Sequence, residues 1–135
     1  MGRCLTRPLG QMGEEVAARY LEGRGMRILA RNLRSRLGEL DLAARDGATL
    51  VFVEVKARHG AGGDPPQAAV DGRKRARLTR LAREYLARER LGDVPCRFDV
   101  VAVTVDPAGG APRVAYFGGA FGVEDGDHRA WARSG

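Results

Sequence analysis

Three side chains in this 135-residue sequence stand out for the chemistry they could perform: Asp41, Glu54 and Lys56. Two carboxylates brought to one point supply hard oxygen ligands, which suit Mg²⁺ or Mn²⁺ rather than zinc. An adjacent ammonium can orient a water or stabilise charge on a phosphorane-like transition state. Together the three read as an apparatus for metal-assisted phosphodiester hydrolysis. Lysine is also rare here: 21 of the 23 cationic residues are arginine, and only Lys56 and Lys74 are not. A compact ammonium with a tunable pKa does what a guanidinium cannot.

For these groups to meet, residues 38–45 and 49–57 must pair as antiparallel strands, and Asp46-Gly47 between them is a hairpin signal. A two-residue loop at Asp46-Gly47 puts Asp41 opposite Phe52, one diagonal step from Glu54; a four-residue loop puts Asp41 opposite Glu54. Alternation of side chains gives both registers the same parity. Leu40, Leu42, Val51, Val53 and Val55 then share an apolar face, and Glu39, Asp41, Phe52, Glu54 and Lys56 share the other. The plain reading of that second face is the solvated side of a half-buried hairpin. Two features argue against it. Aspartate is disfavoured inside strands, and Asp41 and Glu54 are like charges within ~5–8 Å, which destabilises unless a cation lies between them.

The remaining elements build around this hairpin. Apolar residues from Leu9 to Glu22 recur at helical spacing and stop at Gly23–Gly25, which predicts a first amphipathic helix. A strand follows at 26–34. Glycines and prolines crowd His59 to Pro66, which predicts a mobile loop. A second helix is expected over Ala68 to Leu91, with Val70, Leu78, Leu81, Ala82, Tyr85 and Leu86 on one stripe. Arg73, Arg77 and Arg80 lie beside that stripe at i, i+4 and i+7, a row able to follow a phosphate backbone, although a solvated helix face is the commoner fate of such residues. Helical phase puts Lys74 at the edge of the apolar stripe, fit for snorkelling or for aiming towards the hairpin. Strands at Cys96–Val105 and Arg113–Phe117 complete an αβββαββ order. The expected organisation is one domain over 1–122 and a disordered tail over 123–135.

Composition narrows the function further. A formal charge of +6 favours polyanionic partners. Cys4 and Cys96, like His59 and His128, are scattered without ligand-type spacing, so neither a disulfide framework nor a zinc site is expected. No phosphate-cradling glycine loop or dinucleotide fingerprint is present. Met1-Gly2-Arg3-Cys4-Leu5-Thr6 fits a loose myristoylation pattern, but that pattern is short and common. No fully apolar run is longer than Leu50–Val53, far short of a membrane span. A cytoplasmic protein with no membrane partner is expected. Aromatic residues make up 6% of the chain and do not interleave with the arginines, so stacking on unpaired bases has little to rest on.

Glu54-Val55-Lys56, following Gly38-Glu39-Leu40-Asp41-Leu42, resembles the D…ExK signature of the restriction-endonuclease-like superfamily, in particular its archaeal Holliday-junction-resolvase branch. A wider resemblance, from about Leu9 to Phe121, is to the bacterial YraN family. It is carried by Gly10-Gln11-Met12-Gly13-Glu14, Arg31-Asn32, Val51–Lys56, Ala69-Val70 with Lys74, and Phe98–Val101. The resemblance implies an α/β fold with a restriction-endonuclease-like αβββαβ core, a mixed sheet and a central antiparallel hairpin. It further implies a Mg²⁺- or Mn²⁺-dependent nuclease acting on DNA, branched or structured DNA included. Asp41 and Glu54 would hold the metal, and a helix glutamate would complete its shell: Glu14, with Glu15 the alternative that helical phase leaves open. Lys56 would position the attacking water, and Arg73, Lys74 and Arg77 would hold backbone phosphates. A homodimer would be needed to cut both arms of a symmetric junction. The competing expectations are a non-catalytic nucleic-acid-binding module and an interaction protein on the same scaffold.

Overall fold

The computed structural model describes residues 9–60 and 72–121. The elements are α1 (Leu9–Gly23), β1 (Arg27–Ser35), β2 (Gly38–Asp46), β3 (Thr49–His59), α2 (Gly72–Arg88), β4 (Cys96–Val105) and β5 (Arg113–Phe121). Five strands form one mixed sheet in the order β1-β2-β3-β4-β5, with β3 and β4 parallel and every other pair antiparallel. The expected α/β class and αβββαβ core are present. The last strand runs to Phe121, beyond the expected Phe117, and α2 ends at Arg88 rather than Leu91. The expected start of α2 at Ala68, most of the expected mobile loop and the expected tail over 123–135 fall outside the described residues.

Parallel pairing of β3 with β4 needs a crossover connection, and α2 supplies it. Each helix buries a stripe against one face of the sheet. On α1, Ala17, Ala18 and Leu21 pack with Leu42, Ala44, Val51, Val53, Val101 and Val103. Gly25 at φ 95° closes this helix, with the Met26 N–H donating to the Leu21 carbonyl at 3.0 Å. On α2, Leu78, Leu81, Ala82 and Tyr85 pack with Leu40, Ala43, Leu50, Phe52 and Phe98. Phe52 meets Tyr85 edge-on and Phe98 at a tilt, with centroids 5.8 and 5.6 Å apart.

One expectation about the hairpin needs correction, the common face of Leu40 and Leu42. The solvated reading of its second face, against which Asp41 and Glu54 argue, does not hold: Phe52 is fully buried under α2, just as Val51 and Val53 are under α1. A sheet sandwiched between helices buries both faces of its central strands, so parity does not separate core from surface. Leu40 and Leu42 also lie on opposite faces, Leu40 towards α2 and Leu42 towards α1. The strand alternation breaks between them, at Asp41. Asn32 lies between the pairs Arg31↔Leu42 and Leu33↔Leu40 and takes a left-handed φ of 53°. The turn is Gly47-Ala48, giving Asp46↔Thr49 through Leu42↔Val53, a register whose continuation would set Asp41 against Glu54.

Two features make the packing testable. A Cβ on Gly13 would lie 2.6 Å from the Ala57 Cβ, so α1 lies against β3 with nothing between them. Glycine to alanine inside a helix ordinarily stabilises by roughly 1 kcal/mol. Here the sign reverses: Gly13→Ala is expected to destabilise by about 1–3 kcal/mol in urea unfolding, through overpacking. The second feature is a polar network on the α1 face. Asp99, with no exposed side-chain surface, accepts from Arg97 Nε at 3.1 Å, from the Gly119 N–H at 2.7 Å and from the Tyr116 hydroxyl. Arg97 also bonds Asp46 at 2.9 Å, and that carboxylate is 43% exposed. Asp99→Ala takes the acceptor from the Arg97 Nε, the Gly119 N–H and the Tyr116 hydroxyl at once, and is expected to cost about 3–5 kcal/mol. Asp46→Ala, at a wet carboxylate, should cost about 1 kcal/mol or less in the same unfolding measurement.

Candidate functional site

The site forms where β2 parts from β3. Backbone pairing between them stops at Leu42↔Val53, which leaves the next inward N–H of β3 in need of an acceptor. The Asp41 side chain provides it: its Oδ2 accepts from the Val55 N–H at 2.7 Å. A carboxylate thus takes the place of a carbonyl in the ladder, which explains an aspartate at a position where strand propensity disfavours one. The parting opens a pocket of about 320 Å³ lined by Leu37, Gly38, Glu39, Leu40, Asp41, Glu54, Arg77 and Leu78. Asp41 and Glu54, predicted to converge, line one cavity.

Helix α1 reaches the same place from the other side. With Gly13 seated on Ala57 and Val55, the next residue, Glu14, is directed towards β1 and β2. Asn32, with its amide nitrogen turned towards Glu14, donates to both Glu14 carboxylate oxygens at 3.1 and 3.2 Å. Of the two glutamates that helical phase leaves open, Glu14 is the one that meets Asn32 and whose charge acts on Asp41. Burial raises the Asp41 carboxyl to about 6, against the lowering effect of the Val55 N–H, with further raising from the charges of Glu14, Glu54 and Glu39. Three neighbouring carboxylates therefore act on Asp41. Among the described residues no three His, Cys, Asp or Glu side chains are already gathered as a metal-binding cluster. Asp41 spends one oxygen on Val55, and Glu14 is turned to Asn32. The donor chemistry, all carboxylate oxygen, nonetheless fits a hard divalent cation.

The cationic candidates divide. Lys56 is half-buried two residues beyond Glu54 on the α2 side of β3. Arg77 lines the pocket, and its Cδ lies 3.4 Å from where a Gly38 Cβ would be, so the missing side chain at Gly38, itself at φ 135°, leaves the guanidinium room. Arg73 and Arg80 are exposed on α2 and do not line the pocket. Lys74 lies in the first turn of α2, and its side chain is outside the described residues.

Sequence reasoning gave no role to Asn32, Arg97, Asp99 or Tyr116. An isolated asparagine between Arg31 and Leu33 carries no periodic signal, although the fragment Arg31-Asn32 belongs to the family resemblance. Asp99 had a legible signal: an aspartate inside an otherwise apolar strand, as unexpected there as Asp41 is in its own. Cys96 is buried, and burial pushes its thiol up to about 12, so it is packing and not a nucleophile. No helix among the described residues is long and apolar enough to cross a membrane.

A family model described as "Uncharacterised protein family UPF0102" matches residues 13–103, a span that includes Glu14, Asp41, Glu54, Lys56 and Asp99. A UPF0102 protein of Pelotomaculum thermopropionicum is 52% identical over 113 residues, covering 84% of this chain and 94% of the relative. One from Symbiobacterium thermophilum is 51% identical over 105 residues, 78% and 89% of the two chains. One from Frankia alni is 51% identical over 113 residues, 84% and 93% of the two. With the αβββαβ core and the ladder break at Asp41 in place, the chain belongs to UPF0102, the YraN family of the restriction-endonuclease-like group.

Proposed function

We propose that this protein is a divalent-metal-dependent nuclease that hydrolyses phosphodiester bonds in DNA, with branched or structured DNA the substrate class that the family likeness suggests. The observation that carries the reading is the set of crowded carboxylates around Asp41, facing Arg77 across a pocket open to a ligand. Like charges gathered in a partly buried cleft raise one another's pKa unless a cation neutralises them. Asp41 and Glu54 would hold Mg²⁺ or Mn²⁺, and Glu14 would complete the set by leaving Asn32. When bound, such an ion supplies Lewis-acid polarisation of the phosphodiester. Lys56 orients the attacking water and opposes the charge that builds on the phosphorus oxygens. Arg77 fixes a phosphate on the far wall of the pocket, and Arg73 and Lys74 extend the cationic surface along α2. The chemistry is positional and electrostatic, and it needs no side chain that reads bases.

The absence of a preassembled three-carboxylate cluster among the described residues favours one second reading, a nucleic-acid-binding module that keeps the scaffold without turnover. Labelled linear, flapped and four-way DNA incubated with Mg²⁺ separates the two. Cleavage is expected from the wild type, with Asp41→Ala and Glu54→Ala reduced to the level of a mock preparation and Lys56→Ala slowed by about 10²-fold or more. Salt-sensitive binding with no product on any substrate would establish the second reading.

The raised Asp41 carboxyl gives a pH test with a definite sign. Its folded pKa, about 6, lies above the ordinary value of 3.8, so between those values the folded state holds more proton than the unfolded state. In metal-free buffer the Asp41 contribution therefore favours folding most below about pH 4 and is lost as pH rises through 6. Asp41→Asn removes that dependence and keeps an acceptor for the Val55 N–H. The melting temperature of Asp41→Asn minus that of the wild type should grow from pH 4 to pH 7, and Mg²⁺ should shrink it at pH 7. A difference that is flat with pH would contradict the assignment.

A further inference from the structure

Beyond Glu54 and Lys56, β3 carries one more cation on the same face. Val51, Val53, Val55 and Ala57 point towards α1, so Phe52, Glu54, Lys56 and Arg58 alternate onto the opposite side. Arg58 is the register partner of Thr104 on β4, and parallel partners present their side chains to one face. Thr104 is 1% exposed. Both the Thr104 Oγ1 and the Arg58 Nε are buried, and neither has a hydrogen-bond partner among the described residues. The two side chains meet at Gly60, where a Cβ would lie 3.1 Å from the Thr104 Cγ2 and 4.0 Å from the Arg58 Nε. The glycine leaves room there that any other residue would fill. Two orphaned polar groups, one cationic donor and one hydroxyl, side by side on a strand end, are costly to keep without a ligand.

We infer that Arg58 and Thr104 form a subsite for a backbone phosphate of the nucleic-acid strand, the neighbour of the phosphate attacked at Glu54 and Lys56. This rests on the nuclease reading for the position of the cut. Two residues of β3 advance by about 6.7 Å, a step comparable to that between successive phosphates of an extended strand. A strand lying along β3 therefore offers its phosphates to Lys56 and Arg58 in turn. A guanidinium suits this task because its planar fork grips phosphate oxygens in pairs. A threonine hydroxyl can donate to the same group while its methyl stays packed against the sheet.

The test measures binding of a fluorescein-labelled 20-base-pair duplex by the full chain in EDTA across a salt series, alongside thermal melting. Arg58→Ala is expected to weaken binding roughly tenfold and to flatten the log–log salt slope by ~0.9, the loss of one phosphate contact. Arg58→Lys should recover the slope. Thr104→Val keeps the shape and deletes the orphan hydroxyl, so it should melt no lower than the wild type and yet bind more weakly. A purely structural hydroxyl gives the reverse pattern. Wild-type affinity in either Arg58→Ala or Thr104→Val, a lower melting temperature for Thr104→Val, or no binding by the wild type would overturn the subsite. Because the assay contains no metal, a protein that binds in this manner but cuts nothing in Mg²⁺ overturns the nuclease reading alone.

Discussion

The hydrogen bond from the Val55 N–H to the Asp41 carboxylate is the contact on which the rest depends. An antiparallel hairpin that stayed paired beyond Leu42↔Val53 would have no opening, because carbonyls and amides of β2 and β3 would continue to close on each other. An unpaired N–H at the parting would cost about 1–3 kcal/mol if left without an acceptor. A side chain that stands in for the backbone lets the strands diverge without that loss. It also fixes the carboxylate itself, since an oxygen held by a main-chain N–H of a central strand has little freedom. The same contact lowers the Asp41 pKa while burial and three neighbouring glutamates raise it, and the raising forces prevail.

Two helices on opposite faces of the sheet both bear on Asp41. The close seat of Gly13 on Ala57 draws α1 against β3 and brings Glu14 to Asn32, where its charge acts on Asp41. From the other face, α2 packs Leu78 on the core and sends Arg77 across Gly38. Both helices act on a strand whose two faces are buried, so the groups at its end ride on the most rigid part of the molecule. The Asp99 network holds β4 and β5 together at the Phe98/Val100 irregularity through Gly119 and Tyr116. It steadies the strand next to β3 without entering the pocket.

Much of this was legible in the sequence because it is periodic or chemically incongruous. Helical spacing located α1 and α2, apolar runs located the strands, and an aspartate beside a glutamate in strand context located the site. What was not legible depends on tertiary contact. Alternation placed Leu40 and Leu42 on one face, because nothing in the residues announces a break in the pleat at Asp41 or the left-handed backbone of Asn32 opposite. Asp41 and Glu54 argued against a solvated second face, but the burial of Phe52 was not legible, because a two-layer hairpin and a three-layer sandwich have the same local pattern until α2 is laid over it. Glu14 and Glu15 were indistinguishable by phase, and the direction of Glu14 towards Asn32 follows from the seat of Gly13, whose lack of a side chain matters only once Ala57 is its neighbour.

The charge distribution gives the proposed chemistry its internal logic. The chain is cationic overall, yet the groups nearest the pocket floor are acidic. A polyanion drawn in by the surface arginines would meet repulsion at the point where the chemistry must occur, and the carboxylates there already repel one another. A divalent cation reverses the local sign and satisfies both sets of anions at once, which is why carboxylates and phosphates share one centre in metal-assisted transfer. Without the ion, attraction is left to the flanking cations: Arg77 on one wall, Lys56 and Arg58 along β3. In the proposed complex those groups would contact a backbone whose charge is the same for every sequence, and the chain has few aromatic residues with which to read bases. On this reading the fold selects its substrate by shape and by the path of the phosphates, because nothing at the opening is equipped to distinguish one base from another.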